Sequence, residues 1–110
     1  MATRRRRRGS HFENIVASRY RHAGYKVSKH LITKYGEIDN FAIRKREKLA
    51  IECKSGKQLI TARVIKKVYK KGKAIGAKPV LIIGSRIKIS EPAKDLAEKL
   101  GVRIKRFKLK

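Results

Sequence analysis

Pro79-Val80-Leu81-Ile82-Ile83 is an uninterrupted apolar run in a chain of which 36% of the residues are charged. A short run without polar alternation is the pattern of a strand covered on both faces. The rest of the sequence has to supply that cover, and it does so with segments of helical and of alternating periodicity.

Ser10 with Glu13 three residues later reads as a capping box that opens a helix. Its apolar face is Phe12, Ile15, Val16, Tyr20 and Ala23, and Gly24 stops it. A strand over Tyr25–Ile32 follows, with a turn at Tyr35-Gly36. Ile38–Arg44 and Leu49–Lys54 form two more strands, joined by Lys45-Arg46-Glu47-Lys48 as an antiparallel hairpin. A second helix is expected over Thr61–Ile75, with Ile65, Val68, Tyr69 and Gly72 as its apolar stripe and Arg63, Lys66, Lys67, Lys70 and Lys73 outside. Ser90 caps a third helix with Pro92 in its first turn and Gly101 after its end. Val102, Ile104, Phe107 and Leu109 alternate as a terminal strand. The expected fold is α/β, a mixed central sheet flanked by helices.

A chain of 110 residues holds one domain. Residues 1–8, with Arg4, Arg5, Arg6, Arg7 and Arg8 in succession, read as a disordered basic arm, and 9–110 as the domain. The net charge of +24 opposes compaction and calls for an anionic partner. Nucleic acid is the first candidate. A membrane is disfavoured, because no apolar run approaches the roughly 18 residues of a spanning helix and no signal-peptide pattern follows the arginines. A cytoplasmic location is expected. Cys53 is the only cysteine, which excludes an internal disulfide and a cysteine-built zinc site. His11, His22 and His30 show no metal-ligand spacing.

Only 8 residues are acidic against 32 Lys and Arg, yet acids concentrate in Gly36-Glu37-Ile38-Asp39 and Ile51-Glu52-Cys53-Lys54. Residues two apart on a strand point to one face about 6.6 Å apart, so Glu52 and Lys54 project together. Hairpin pairing brings Asp39 beside Glu52. Two carboxylates converging among apolar residues repel and lose hydration, and a cation between them relieves both. Magnesium suits such an oxygen site because it accepts one or two carboxylates and keeps several waters. In phosphodiester hydrolysis Asp39 and Glu52 would hold the ion, and Lys54 would orient water or stabilise the phosphorane. Glu13 could reach the same ion from the first helix, or serve only the helix cap. Glu37 neighbours Asp39 and could simply pair with a lysine.

At these residues the chain resembles the PD-(D/E)xK nuclease superfamily, and within it the archaeal Holliday junction resolvases. The likeness rests on Gly9-Ser10-His11-Phe12-Glu13, Ile38-Asp39, Ala50-Ile51-Glu52-Cys53-Lys54-Ser55 and Gly76-Ala77-Lys78-Pro79, and covers roughly residues 9–83. It implies a restriction-endonuclease-like fold and metal and catalytic roles for Glu13, Asp39, Glu52 and Lys54. It also implies magnesium as cofactor, with manganese as a substitute, and a homodimer cutting both strands of a four-way junction in DNA recombination and repair. Ile38 stands where the family usually has proline. Ser28 lies near the place of a polar residue that resolvases use, and reads more simply as a strand surface residue.

The same two motifs also resemble methyl-directed restriction nucleases, so duplex cleavage is the alternative. A non-catalytic binder, such as a chromatin- or ribosome-associated protein, would account for the charge but leaves Asp39 and Glu52 facing phosphate without a cation. Arg4–Arg8 and the outer lysines Lys66, Lys67 and Lys70 are the expected DNA contacts, since a same-sign excess with few acids to pair favours phosphate. The dimer surface is expected on the terminal strand and the Pro79–Ile83 strand.

Overall fold

Val80, Leu81, Ile82 and Ile83 are all buried, because the run they form lies in the interior of a sheet with helices on both sides. The computed structural model describes residues 7–107. In chain order its elements are α1 (Arg7–His22), β1 (Lys26–Thr33), β2 (Gly36–Arg44), β3 (Glu47–Lys54), β4 (Leu59–Ile60), α2 (Ala62–Ala74), β5 (Lys78–Ile83), β6 (Lys88–Ile89), α3 (Glu91–Leu100) and β7 (Arg103–Arg106). Five strands form one sheet in the order β1-β2-β3-β5-β7. β1, β2 and β3 pair antiparallel, while β5 runs parallel to both β3 and β7.

Alternate residues of β5 serve different helices. Val80 and Ile82 pack with Phe12 and Val16 of α1 and with Ala42, Leu49 and Ile51. Leu81 and Ile83 pack with Ile65 and Val68 of α2, Ala93 and Ala97 of α3, and Val102. Each such side chain contributes about 1.5–3 kcal/mol by leaving water. A methyl group at Gly72 would sit 2.9 Å from the Ala77 carbonyl, so glycine is what lets α2 lie this close to the start of β5.

The sequence expectations need several corrections. α1 starts at Arg7, so Ser10 lies inside the helix and not at its N-cap. Arginine is a good helix former, and Arg7 and Arg8 carry the helix past Gly9. Arg7 and Arg8 therefore belong to α1, while residues 1–6 of the proposed arm lie outside the described residues, as does Leu109. Ala23 is exposed in the turn after α1, and Ala17 is buried in its place. The β2–β3 connection is only Lys45-Arg46, with Arg44 paired to Glu47 and Lys45 at φ 55°. The two-stranded β4–β6 sheet was missed because two-residue strands show no periodicity. β5 lies between β3 and β7 and is covered on both faces, so it presents no dimer surface.

The caps of α3 follow expectation. Ser90 Oγ accepts from the Ala93 N–H at 3.2 Å, and Gly101 takes the left-handed conformation at φ 76°. No helix among the described residues is long and apolar enough to cross a membrane.

Candidate active site

Asp39 sits where the sheet ladder opens. β1 and β2 pair at Lys29↔Asn40 and again at Leu31↔Ile38, skipping His30 and Asp39. β2 and β3 pair from Arg44↔Glu47 to Asn40↔Ile51 and stop there. His30 adopts φ 56°, a conformation that histidine tolerates better than most residues. The alternation of β2 slips at this point: Ala42 packs with the α1-side core, while Ile38 packs with Ala50 and Ala77 on the other face. The Asp39 carboxylate fills the gap by accepting the Cys53 N–H at 2.8 Å in place of a strand carbonyl.

Glu13 and Glu52 approach Asp39 from α1 and β3. Burial raises the Glu13 carboxyl above its ordinary 4.5, and repulsion from Asp39 adds to the effect. Glu13 is 14% exposed, its Oε1 has no hydrogen-bond partner, and that atom lies 3.8 Å from His30 Nε2. His30 Nδ1 is 2.7 Å from Glu37 Oε2. Glu52, 12% exposed, is pushed up to about 7, first by burial and then by Asp39, against the opposing charges of Lys71 and Lys54.

Lys71 is buried on the inner face of α2. Its Nζ donates to Glu52 Oε2 at 3.1 Å and to the Glu37 carbonyl at 2.8 Å. The lysine stem passes over Gly36 (φ 126°), where a methyl group would meet Lys71 Cε at 3.1 Å. Glycine is required here by both conformation and space. Lys54 is half-buried two residues beyond Glu52 on the same strand, and among the described residues its ammonium makes no hydrogen bond or ion pair.

The arrangement brings together Glu13, Asp39 and Glu52, with Asp39 in the middle and Lys54 nearby. It does not close three ligands on one point: among the described residues no group of three His, Cys, Asp or Glu side chains could hold an ion. Asp39 Oδ1 and Glu52 Oε1 nevertheless keep lone pairs that Cys53 N–H and Lys71 leave unused. A cation that completes its shell with water and phosphate oxygen fits that donor pair. Ser28 is exposed opposite Phe41, two rungs from Asp39, and stands apart from the carboxylates. Burial pushes the Cys53 thiol up, which leaves it unreactive. Lys66, Lys67 and Lys70 are exposed on the outer side of α2 and share a hollow with Arg63 and Tyr35.

Sequence reasoning missed His30, Asn40 and Lys71. Asn40 is fully buried, with Nδ2 donating to the Glu13 carbonyl at 3.1 Å, so it ties β2 to α1 beside the carboxylates. Its signal was a polar residue inside the run Ile38–Ile43. Lys71 stands three residues after Val68 on the inward stripe of α2, a position where a lysine needs an acidic partner.

A family model described as a restriction endonuclease, Mrr_cat, matches residues 5–108. No curated protein sequence matches the chain. Among solved structures, AF1548, a protein of unknown function, aligns with a TM-score of 0.73 at 22% identity over 86% of this chain and 55% of its own. A repair endonuclease from Pyrococcus abyssi aligns with a TM-score of 0.65 at 15% identity over 83% of this chain and 42% of its own. The EndoMS-dsDNA2 complex gives 0.60 at 12% identity over 77% and 37%. The chain thus spans about half the length, or less, of these proteins, and at such identities the likeness is one of fold. It agrees with the mixed five-stranded sheet and its flanking helices. The family match spans nearly the whole sequence and includes both carboxylate strands, so the chain belongs to the Mrr_cat restriction endonuclease family, within the PD-(D/E)xK nucleases.

Proposed function

We propose that the protein is a divalent-metal-dependent DNA endonuclease. The observation that carries this reading is the Asp39 carboxylate set in a gap of the ladder between Glu13 and Glu52, in a chain of net charge +24. Carboxylates so placed repel phosphate unless a cation lies between them. Asp39 and Glu52 would hold magnesium or manganese, with Glu13 acting on the same centre through Asp39. The bound ion supplies Lewis-acid activation of water and charge neutralisation at phosphorus. Lys54 stabilises the negative charge that grows on the phosphate oxygens. Lys71 holds Glu52 by its Oε2, so Oε1 would be the atom available to an ion. Lys66, Lys67, Lys70 and the Arg4–Arg8 run contact the phosphate backbone.

The finer reading is a homodimer that resolves four-way junctions. It is supported by the basic charge and the motif set from Glu13 to Lys54, and by the need for two cuts where this sequence carries a single Asp39, Glu52 and Lys54 set. Cleavage of ordinary duplex DNA is the second reading, favoured by the family match over residues 5–108. A gel comparing four-way junction, duplex and single strand, with and without magnesium, tests both. Metal-dependent cleavage is expected, lost in Asp39→Asn with DNA binding retained. Cleavage by Asp39→Asn at the wild-type rate refutes the site, and preferential cutting of duplex refutes the junction reading.

A further inference from the structure

Beyond Ile38 the β1–β2 hairpin has no pairing partner in β3, and its distal end stands next to the outer face of α2. The turn at the tip is fixed locally: Thr33 Oγ1 donates to the Gly36 carbonyl at 2.7 Å and accepts the Tyr35 N–H at 3.0 Å. It presents Tyr35, whose large apolar ring is 41% exposed. The Lys34 and Lys70 ammonium groups lie 5.4 and 5.7 Å from the ring centroid. Arg63, Lys66 and Lys67 complete a shallow hollow of about 220 Å³ around it. α2 contains no acidic residue, so these cations have no partner on their own helix. An exposed aromatic ring covered only by two flexible lysine ammonium groups, with no acid among them, fits a ligand whose planar face displaces an ammonium and whose negative charge then pairs with it.

Nucleic acid has that chemistry when a base is out of the duplex stack. We propose that Tyr35 is a stacking platform for an unpaired nucleobase, with Lys70, Lys67 and Arg63 holding the flanking phosphates. Tyr35, in the turn just before β2, is four residues from Asp39, about 13 Å at strand rise, and stacked nucleotides advance about 3.4 Å each. The base is therefore read within about four nucleotides of the cut. The platform makes departure from paired geometry, as in a bulge or a branch point, part of what is recognised. This inference rests on the reading of the chain as a DNA-binding nuclease, and its test separates the two.

The full chain is titrated without divalent metal against a duplex carrying one 2-aminopurine in a single-nucleotide bulge, and against the fully paired duplex of the same flanking sequence. Wild type and Tyr35→Phe should quench the fluorophore and prefer the bulge. Tyr35→Ala should lose the quenching, and its loss of affinity for the bulge should exceed its loss for the paired duplex by about 5- to 150-fold, the range set by one base stacked on one aromatic ring. Equal losses on both DNAs, or undiminished quenching, overturn the platform while leaving the nuclease reading in place. Failure of the wild type to bind either DNA overturns both. Thermal melting of each variant checks that an exposed turn residue has been changed without unfolding the domain.

Discussion

Replacing Glu52 by glutamine removes a carboxylate that burial disfavours, and the effect on the metal-free protein depends on pH. Burial and Asp39 raise the Glu52 carboxyl from 4.5 to about 7. Between those values the folded protein retains a proton that the unfolded chain has released. Stability from this group is therefore complete below 4.5, falls as pH rises through about 7, and is flat above. At about 1.4 kcal/mol per pH unit the loss is bounded near 3 kcal/mol, or roughly 12 °C in melting temperature for a domain of this size. Glu52→Gln has no such slope, and its amide oxygen can still accept from Lys71. Glu13 is shifted in the same direction, but it is present in both proteins and cancels in the comparison. Urea unfolding of both proteins in chelator, from about pH 4 to pH 8, should show the variant gaining on the wild type by up to about 3 kcal/mol. Magnesium at the upper pH should stabilise the wild type more than the variant, because the ion binds the ionised carboxylate. Parallel pH profiles would refute the assignment of Glu52 as a desolvated carboxylate.

Lys54→Ala should reduce single-turnover cleavage by about 10²-fold or more with little change in DNA affinity, since its charge is one of 32 but its place beside Glu52 is unique; equal falls in rate and affinity make it a phosphate contact only. Lys71→Met should destabilise the fold by about 3–5 kcal/mol above pH 7, and by less where Glu52 is protonated, as read by chemical denaturation. A loss below about 1 kcal/mol contradicts the buried pairing. Deleting residues 1–6 leaves α1 whole and removes Arg4, Arg5 and Arg6. The log-log salt slope of DNA binding should shrink by about 0.9 for each phosphate no longer neutralised, up to about 2.7, and an unchanged slope shows that these arginines are idle.

The five main strands, three helices and carboxylate strands were legible because each leaves a periodic or punctuated trace. The apolar run of β5 announced cover on both faces, and Ser90, Pro92 and Gly101 marked the ends of α3. What periodicity reports is which face a residue takes, and it is silent on polar partners brought from another element. The spacing of Lys71 from Val68 puts it on the inward stripe of α2, but nothing in the helix itself names Glu52 and the Glu37 carbonyl, from two different strands, as the groups that meet its ammonium. The slip at His30 and Asp39 escaped for a related reason. One residue per strand changes side while the pairing sum across β1 and β2 stays constant, so the sequence shows only an irregular alternation around Leu31 and Ile32. The start of α1 was misread because Ser10 and Glu13 satisfy a local capping pattern that the longer helix overrides.

The gap in the ladder at Asp39 leaves the acidic residues on two differently supported stretches of the sheet. Glu52 and Lys54 ride on β3, which is clamped between β2 and the buried β5. Glu37 and Tyr35 ride on the outer hairpin, joined to the rest by the packing of Leu31 and Ile38 and by the Lys71 strap to the Glu37 carbonyl. Asp39 stands between them and is bonded to β3 through the Cys53 N–H. In a continuous sheet the distance from Asp39 to Glu52 would be set by strand spacing; here it is set by the Asp39 bond to the Cys53 N–H and by the Lys71 ammonium that joins Glu52 to the Glu37 carbonyl, so the spacing of the two carboxylates is a property of side chains.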